Sequence, residues 1–219
     1  MATRPAHLIA VLACVAMSPP VWAAELRALV ADDAGKPLPD AVVVAYPAGV
    51  RVEHARPGTA IEDQVDKEFA PYVQAIRVGT YVKFPNNDDI RHHVYSFSAA
   101  KKFELPLYSG TPASAVLFDK VGVVRLGCNI HDWMIAYLYV TDAPYSGKTA
   151  AQGSVELKGL PAGTYRLRAW HPRLDAAEES TARQVELQDD TPAEVRWVFK
   201  LKREFRPRRT PLPGDAGYR

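Results

Sequence analysis

Cysteine is scarce in this chain of 219 residues, which contains only Cys14 and Cys128. Residues 1–23 have the features of an export signal: a basic residue (Arg4), a short apolar stretch and small residues before a cleavage position after Ala23. We therefore expect Cys128 to be the one cysteine of the mature protein. This excludes an internal disulfide, and an exposed thiol is a liability in an oxidising compartment. The sequence thus predicts that something protects Cys128.

Two other interpretations of the N-terminus are open. "VLAC" places Cys14 after small and apolar residues, as in a lipoprotein signal, although the apolar run before it is only six residues long. The same segment is also compatible with a buried N-terminal helix. We expect cleavage after Ala23 and a mature protein that is periplasmic or otherwise exported.

Long apolar runs are absent beyond the N-terminus, so we expect no transmembrane segment in the mature chain. An excess of one charge is absent too, because the formal net charge is +2. The proline-rich segment 202–219 has a local excess of basic residues, six against two acidic ones. We interpret it as a disordered tail, with a membrane- or partner-binding arm as the alternative. Since the remaining chain is not basic, we expect no nucleic-acid partner.

Helical periodicity is also missing, apart from a short stretch at 175–181. Short runs of β-branched and aromatic residues, such as "AVVVAY", "HVYSFS" and "IAYLYVT", alternate instead with turns rich in proline and glycine. Residues 51–68 are polar with little periodicity, and we predict a crossing or linker there. The whole pattern predicts an all-β protein of packed antiparallel sheets.

The segment "RLGCNIHDWM" places Cys128, His131 and Met134 at three-residue intervals. Thiolate, imidazole and thioether are soft ligands, whereas calcium and magnesium prefer oxygen. Structural zinc requires four strong ligands, commonly including pairs of cysteines, and only one cysteine is present. Two histidines and a thiolate with a distant axial methionine form a blue copper site. The motif therefore favours copper and requires a second histidine from elsewhere.

Four other histidines are candidates for that ligand: His54, His92, His93 and His171. His92 and His93 begin the predicted strand of "DDIRHHVYSFS", and a sheet behind a ligand fixes its position better than a loop does. The two side chains face opposite sides of the strand, and alternation alone does not choose between them. His54 lies in the predicted linker, and "WHP" favours a turn role for His171.

The segments "VGTYVKFPNNDDIRHHVYSFS" and "FDKVGVVRLGCNIHDWM" resemble the cupredoxins, the group of plastocyanin, azurin and amicyanin. They are most similar to the plastocyanin-like proteins labelled methylamine utilisation proteins. The resemblance covers about residues 61–142, and the C-x-x-H-x-x-M spacing is that of the short amicyanin ligand loop. It implies a Greek-key β-sandwich with one type 1 copper, bound by Cys128, His131 and Met134.

The first ligand of that family is usually a histidine followed by asparagine. This maps the ligand to His92 and puts His93 at the asparagine position, which departs from the family pattern. The asparagine normally ties the ligand loop to the neighbouring strand. His93 therefore either replaces it or is itself the ligand, and we favour His92 as the ligand.

The segments on either side resemble a second module. "DDAGKPLPDAVVVAY" and "GLPAGTYRLRAWHP" are similar to the carboxypeptidase regulatory-like and Cna-B-like β-sandwiches. The resemblance implies a small Ig-like sandwich formed by residues 24–50 and 144–201, with the copper domain inserted into it. The alternative is one larger sandwich with extra strands. Such modules often bind carbohydrate or act as spacers.

The resemblance implies an electron-transfer protein rather than an enzyme. The electron would pass through His131 to an unidentified redox partner protein, a cytochrome or a dehydrogenase. Trp133 is the candidate for partner docking, or alternatively packs inward between the domains. A periplasmic copper carrier or sensor and a non-redox surface interaction module with a structural metal are the alternatives. A cysteine hydrolase is disfavoured, because Cys128 and His131 share one tight loop and no acidic orienting residue or oxyanion motif is evident in the sequence.

Overall fold

The computed structural model describes residues 24–49, 58–112, 114–189 and 191–203. Within these ranges the chain forms seventeen strands, one short 3-10 helix and no α-helix, which confirms the all-β prediction. The predicted export signal, His54 and residues 204–219 lie outside the described residues. No helix in the described part is both long and apolar enough to cross a membrane.

The strands are short and follow one another closely along the chain. In order they are β1 (Ala24–Asp32), β2 (Val42–Pro47), β3 (Thr59–Ile61), β4 (Asp63–Val65), β5 (Glu68–Ala70), β6 (Val73–Arg77), β7 (Thr80–Lys83), β8 (His92–Ser98), β9 (Lys101–Tyr108), β10 (Val116–Phe118), β11 (Gly122–Gly127), β12 (Ile135–Thr141), β13 (Tyr145–Lys148), β14 (Ser154–Leu160), β15 (Gly163–Trp170), β16 (Arg183–Leu187) and β17 (Ala193–Phe199). The 3-10 helix, Glu178–Thr181, lies within the helical stretch predicted at 175–181.

Strands from the two ends of the described chain form one pair of sheets. One sheet has the order β14–β1–β17, and the other has the order β13–β2–β15–β16. Alternate residues of their strands meet in a shared apolar core, to which Leu26, Val43, Leu167 and Trp197 belong. Strand β1 runs parallel to β17, whereas its other neighbour, β14, is antiparallel. These sheets use the segments that the resemblance assigned to the flanking sandwich.

The middle of the chain forms a second pair of sheets and a hairpin. The larger sheet has the order β6–β12–β11–β8–β9, the smaller has the order β10–β7–β3, and β4 and β5 form a two-stranded sheet. Their core contains Phe84, Phe118 and Leu126, and Cys128 and Met134 are buried in the same cluster. The candidate ligand loop therefore joins the end of this core.

A third apolar cluster connects the two pairs of sheets. It contains Val42 and Val44 from β2 together with Val73 and Tyr139 from the large middle sheet. The alternate residues of β2, such as Val43, face the other core. Strand β2 is thus apolar on both faces because both faces are covered, which explains the continuous run "AVVVAY".

The linker prediction for residues 51–68 is wrong from Thr59 onward. Strand β3 pairs parallel with β7, and β4 and β5 form a hairpin whose turn residues, Asp66 and Lys67, have φ values of 55° and 60°. These strands have three residues each and bury few apolar side chains, so they carry no readable period. Strands β3, β4 and β5 could therefore not be recognised from the pattern of apolar residues in the sequence.

Candidate metal centre

The loop between β11 and β12 brings the three sequence-predicted ligands together. The two strands pair in register up to Gly127 and Ile135, so Cys128 and Met134 leave adjacent strands side by side. Inside the loop, the Met134 N–H donates to the His131 carbonyl oxygen at 3.0 Å. Cys128 is 3% exposed and Met134 is fully buried, whereas His131 is partly exposed.

His92 comes to this loop from the neighbouring strand. Strand β8 lies beside β11, where Tyr95 pairs with Gly127, and its first residue therefore lies next to the loop. Cys128 Sγ lies 4.0 Å from Nδ1 of His92 and 4.0 Å from Nδ1 of His131. The three donor atoms all lie within 4.8 Å of one another, and the two imidazole ring centroids are 5.0 Å apart.

His93 lies on the opposite side of strand β8. His92 shares the buried face with Val94 and Ser96, whereas His93 shares its face with Phe97, which is 76% exposed. Nε2 of His93 lies 3.0 Å from Oε1 of Glu104, although at an angle that does not make a hydrogen bond. The structure therefore places His92 beside Cys128 and His131, and His93 against strand β9.

The donor set fits a small soft metal ion. Ligand bonds of about 2.0 Å to nitrogen and about 2.3 Å to sulfur require sulfur–nitrogen separations of roughly 3.7 Å in a trigonal plane. The observed separations of 4.0 Å need only a small contraction. The thioether of Met134 is buried in the same cluster as Cys128, at the other end of the loop. Two imidazoles, one thiolate and one thioether match copper better than zinc or a hard cation.

An acidic residue that the sequence reasoning did not single out contacts His92 from behind. Oδ2 of Asp88 lies 2.6 Å from His92 Nε2 and accepts the Lys67 N–H at 2.9 Å. Burial by itself raises the pKa of the Asp88 carboxyl, but hydrogen bonds from the Lys67 and Asp66 backbone and from His92 bring it below its usual value. In the sequence, a carboxylate four residues before a candidate ligand is the only signal of this contact.

Trp133 contacts both His131 and the β4–β5 turn. Its ring centroid lies 4.9 Å from that of His131, and its indole N–H donates to the Lys67 carbonyl oxygen at 3.0 Å. The side chain packs against the core of the middle sheets, whereas the tryptophan that packs against the connecting cluster is Trp170. Trp133 thus packs against His131 of its own loop and against the β4–β5 turn, rather than between the two pairs of sheets.

His171 lies far from this loop in the sequence and has a structural role. Its Nδ1 accepts the Arg173 N–H at 3.1 Å, and its carbonyl oxygen accepts the Leu174 N–H at 3.0 Å. Burial, reinforced by the positive charge of Arg173, lowers the pKa of His171 to about 4. These contacts agree with the turn role that the sequence favoured.

Comparison with known proteins gives similar structures but no family. No family model matches the chain, and no curated protein matches its sequence. Among solved structures, a purple cupredoxin from Nitrosopumilus maritimus is 22% identical, with a TM-score of 0.33, over 37% of this chain and 99% of that one. An oxidised variant of amicyanin is 16% identical, with a TM-score of 0.34, over 47% of this chain and 99% of that one.

A copper-containing nitrite reductase, NirK from Thermus scotoductus SA-01, is also similar to part of the chain. It is 23% identical with a TM-score of 0.35, and the match covers 52% of this chain and 28% of the reductase. Solved structures similar to part of this chain thus include cupredoxins. The function is inferred below from the donor atoms and their surroundings in this chain.

Proposed function

We propose that this chain is an exported type 1 copper protein that binds one copper ion through His92, Cys128, His131 and Met134 and transfers single electrons. The observation that carries the proposal is the position of the Cys128 thiol, which is buried 4.0 Å from two imidazole nitrogens. A buried thiol with two such neighbours has the ligands and the shielding that a soft metal ion needs. This also accounts for the survival of one unpaired cysteine.

Bound copper would supply one-electron chemistry between its cuprous and cupric states. Cys128 would hold the ion as the thiolate, and the core around it would shield the sulfur from water and oxidants. His92 offers Nδ1 from the first residue of β8, and His131 offers Nδ1 from the short loop whose two ends are held by the paired strands β11 and β12. This rigid support keeps the donors in place in both oxidation states, so that little rearrangement accompanies electron transfer.

His131 is the donor that we assign to electron exchange with a partner. It is partly exposed, while His92, Cys128 and Met134 are buried, so its ring is the donor nearest to solvent. Trp133 lies against that ring and can contribute to the surface that a redox partner protein contacts. We infer electron transfer rather than catalysis because four protein donors leave no open position of the kind that catalytic metal sites keep.

Titration of the mature protein with a cupric salt tests the proposal directly. We expect a strong visible absorption band at one copper per chain, and protection of the Cys128 thiol against alkylation. Cys128→Ser and His92→Ala should lose the band. His93→Ala is the matched control and should keep it, because His93 faces Glu104. A colourless protein whose thiol stays open to alkylation would contradict the proposal.

Redox cycling separates electron transfer from the alternative functions. Alternate dithionite and ferricyanide should bleach and restore the band without loss of metal. Release of copper in each cycle would indicate a carrier or sensor, and a redox-silent metal would indicate a structural site. Electron self-exchange should be slower in Trp133→Phe, which keeps a ring beside His131, with the visible band unchanged. An unchanged self-exchange rate would show that Trp133 does not belong to the surface that a redox partner contacts.

A further inference from the structure

The contact between Asp88 and His92 has a consequence for the metal site. We propose that Asp88 is a positioning residue that orients His92 for metal binding and lowers the reduction potential of the bound copper. This inference rests on the proposed function, since it concerns the same ligand. The Asp88 carboxylate faces Nε2 of His92, whereas Cys128 faces Nδ1, so Asp88 would act on the metal only through the imidazole ring.

The two nitrogens of His92 have different partners. Nδ1 faces Cys128 at 4.0 Å and needs its lone pair to bind a metal, so the proton lies on Nε2, which donates to Asp88 at 2.6 Å. The side chains of His92 and Asp88 are 0% and 9% exposed. The carboxylate therefore selects the tautomer and the ring orientation without competition from bulk water.

Asp88 is itself held in place by the turn before β8. Its N–H donates to Oδ1 of Asn86 at 3.0 Å, and Nδ2 of Asn86 donates to the carbonyl oxygens of Ile90 and Tyr108. Asn86 is 3% exposed, so these bonds are sheltered. The turn thus fixes the backbone of Asp88 relative to strands β8 and β9. Rotation of the carboxylate away from His92 would also break the hydrogen bond that it accepts from the Lys67 N–H.

The β4–β5 turn connects the supports of both imidazoles. The Lys67 N–H donates to Asp88, which contacts His92, and the Lys67 carbonyl oxygen accepts the indole N–H of Trp133, which packs on His131. One peptide segment therefore stabilises the surroundings of both histidine ligands. Displacement of this turn would therefore change the surroundings of both the His92 and the His131 rings.

The negative charge of Asp88 is the reason for the effect on the potential. A carboxylate in a water-poor site interacts with a metal more strongly than a charge in solvent does. It stabilises the cupric state, which has the higher positive charge, more than the cuprous state. The hydrogen bond also makes the imidazole a stronger donor, which acts in the same direction. Both effects lower the reduction potential.

Two substitutions at Asp88 separate orientation from charge. Asp88→Asn keeps a hydrogen-bond acceptor for Nε2 but removes the charge, so we expect a near-normal visible band and a higher potential. The rise should be about 59 mV for each tenfold loss of cupric relative to cuprous affinity. Asp88→Ala removes both, and should also weaken binding of copper and of redox-inert zinc by about 10–100-fold.

Asp89→Asn is the matched control, because Asp89 is the next residue in the chain and is exposed. This variant removes the same negative charge as Asp88→Asn, but at a position where water screens the charge. Its potential should equal that of the wild type. Far-UV circular dichroism checks folding, and the isosteric Asp88→Asn keeps the test valid if Asp88→Ala does not fold. If the wild type binds copper but Asp88→Asn has the same reduction potential as the wild type and Asp89→Asn, the inference about Asp88 is wrong while the proposed function stands. A colourless wild type would instead overturn the proposed function.

Discussion

His92, His93 and His171 are all buried, yet each imidazole has different neighbours. His92 has a carboxylate on one nitrogen and a thiol near the other, and His93 lies beside Glu104. His171 has only a backbone N–H on Nδ1 and no acidic side chain in hydrogen-bonding contact within the described part of the chain. Burial therefore keeps it neutral at pH 7 and lowers its pKa to about 4.

The depressed pKa of His171 predicts a pH-dependent stability. Below its ordinary pKa of about 6.5 the unfolded chain binds a proton that the folded protein does not bind until about pH 4. The contribution of His171 is therefore complete above pH 6.5 and is lost as the pH falls towards 4. A pKa difference of this size corresponds to about 3 kcal/mol at most, so we expect a loss of about 2–3 kcal/mol between pH 7 and pH 4.

Chemical denaturation of metal-free protein between pH 7 and pH 4 measures this effect. His171→Asn keeps an acceptor for the Arg173 N–H but does not titrate, so its stability should fall less over this range. The other histidines contribute equally to both proteins and cancel in the difference. Parallel stability curves for the two proteins would show that His171 is not the titrating group.

At the scale of elements, the β4–β5 hairpin supports the ligand loop although its strands have three residues each. Both of its turn residues, Asp66 and Lys67, have positive φ, the geometry of a two-residue hairpin turn that favours asparagine and glycine. Two residues with side chains thus occupy a strained conformation. The turn is maintained by the bonds that Lys67 makes to Asp88 and Trp133.

Replacing Lys67 by glycine or proline should have opposite effects. Lys67→Gly relieves the left-handed conformation and keeps both backbone bonds, so we expect a stability gain of about 0.5–1 kcal/mol and an unchanged copper band. Lys67→Pro removes the N–H that Asp88 accepts and cannot adopt a φ of 60°. It should weaken copper binding, as measured by competition titration. Equal copper affinity in both variants would show that the turn does not support the site.

At the scale of the whole molecule, the two pairs of sheets share an aromatic contact. The ring of Trp170, from β15, lies 5.9 Å from that of Tyr137 and 5.4 Å from that of Tyr139. Polar bonds cross the same boundary, since the Tyr139 hydroxyl donates to Glu178 at 2.5 Å and the Tyr46 hydroxyl donates to Asp142 at 2.9 Å. These contacts favour cooperative unfolding of the two pairs of sheets.

Removing the Trp170 ring should weaken that coupling. For Trp170→Ala we expect a stability loss of about 2–3 kcal/mol, because the ring is half-buried, and a separation of the unfolding transitions. In a Trp133→Phe background, tryptophan fluorescence reports the outer pair of sheets through Trp197, and the visible copper band reports the middle pair. Both signals are followed during heating. Val198→Ala, at a residue that is 70% exposed, is the control and should change stability by less than about 0.5 kcal/mol. Coincident transitions in Trp170→Ala would mean that other contacts maintain the coupling.

Much of the fold was readable from local patterns. Runs such as "HVYSFS" and "IAYLYVT" predicted β8 and β12. An apolar run of this length between two turns is too short for a typical helix and is typical of a buried strand. The β3 and β4–β5 strands were not readable, since they are short and are stabilised by pairing with distant segments. Strand β3, for example, adds to β7 about twenty residues later in the chain.

The sequence by itself determined the all-β class and placed a thiol, an imidazole and a thioether in one loop, because residue type and spacing carry that information. Only the tertiary structure decided which histidine joins them, since His92 and His93 differ in nothing except the face of β8 on which they lie. It also brought Asp88, Lys67 and Trp133 into one network around the candidate ligands. Contacts between segments far apart in the chain leave no periodic signal, and their geometry exists only once the sheets have packed.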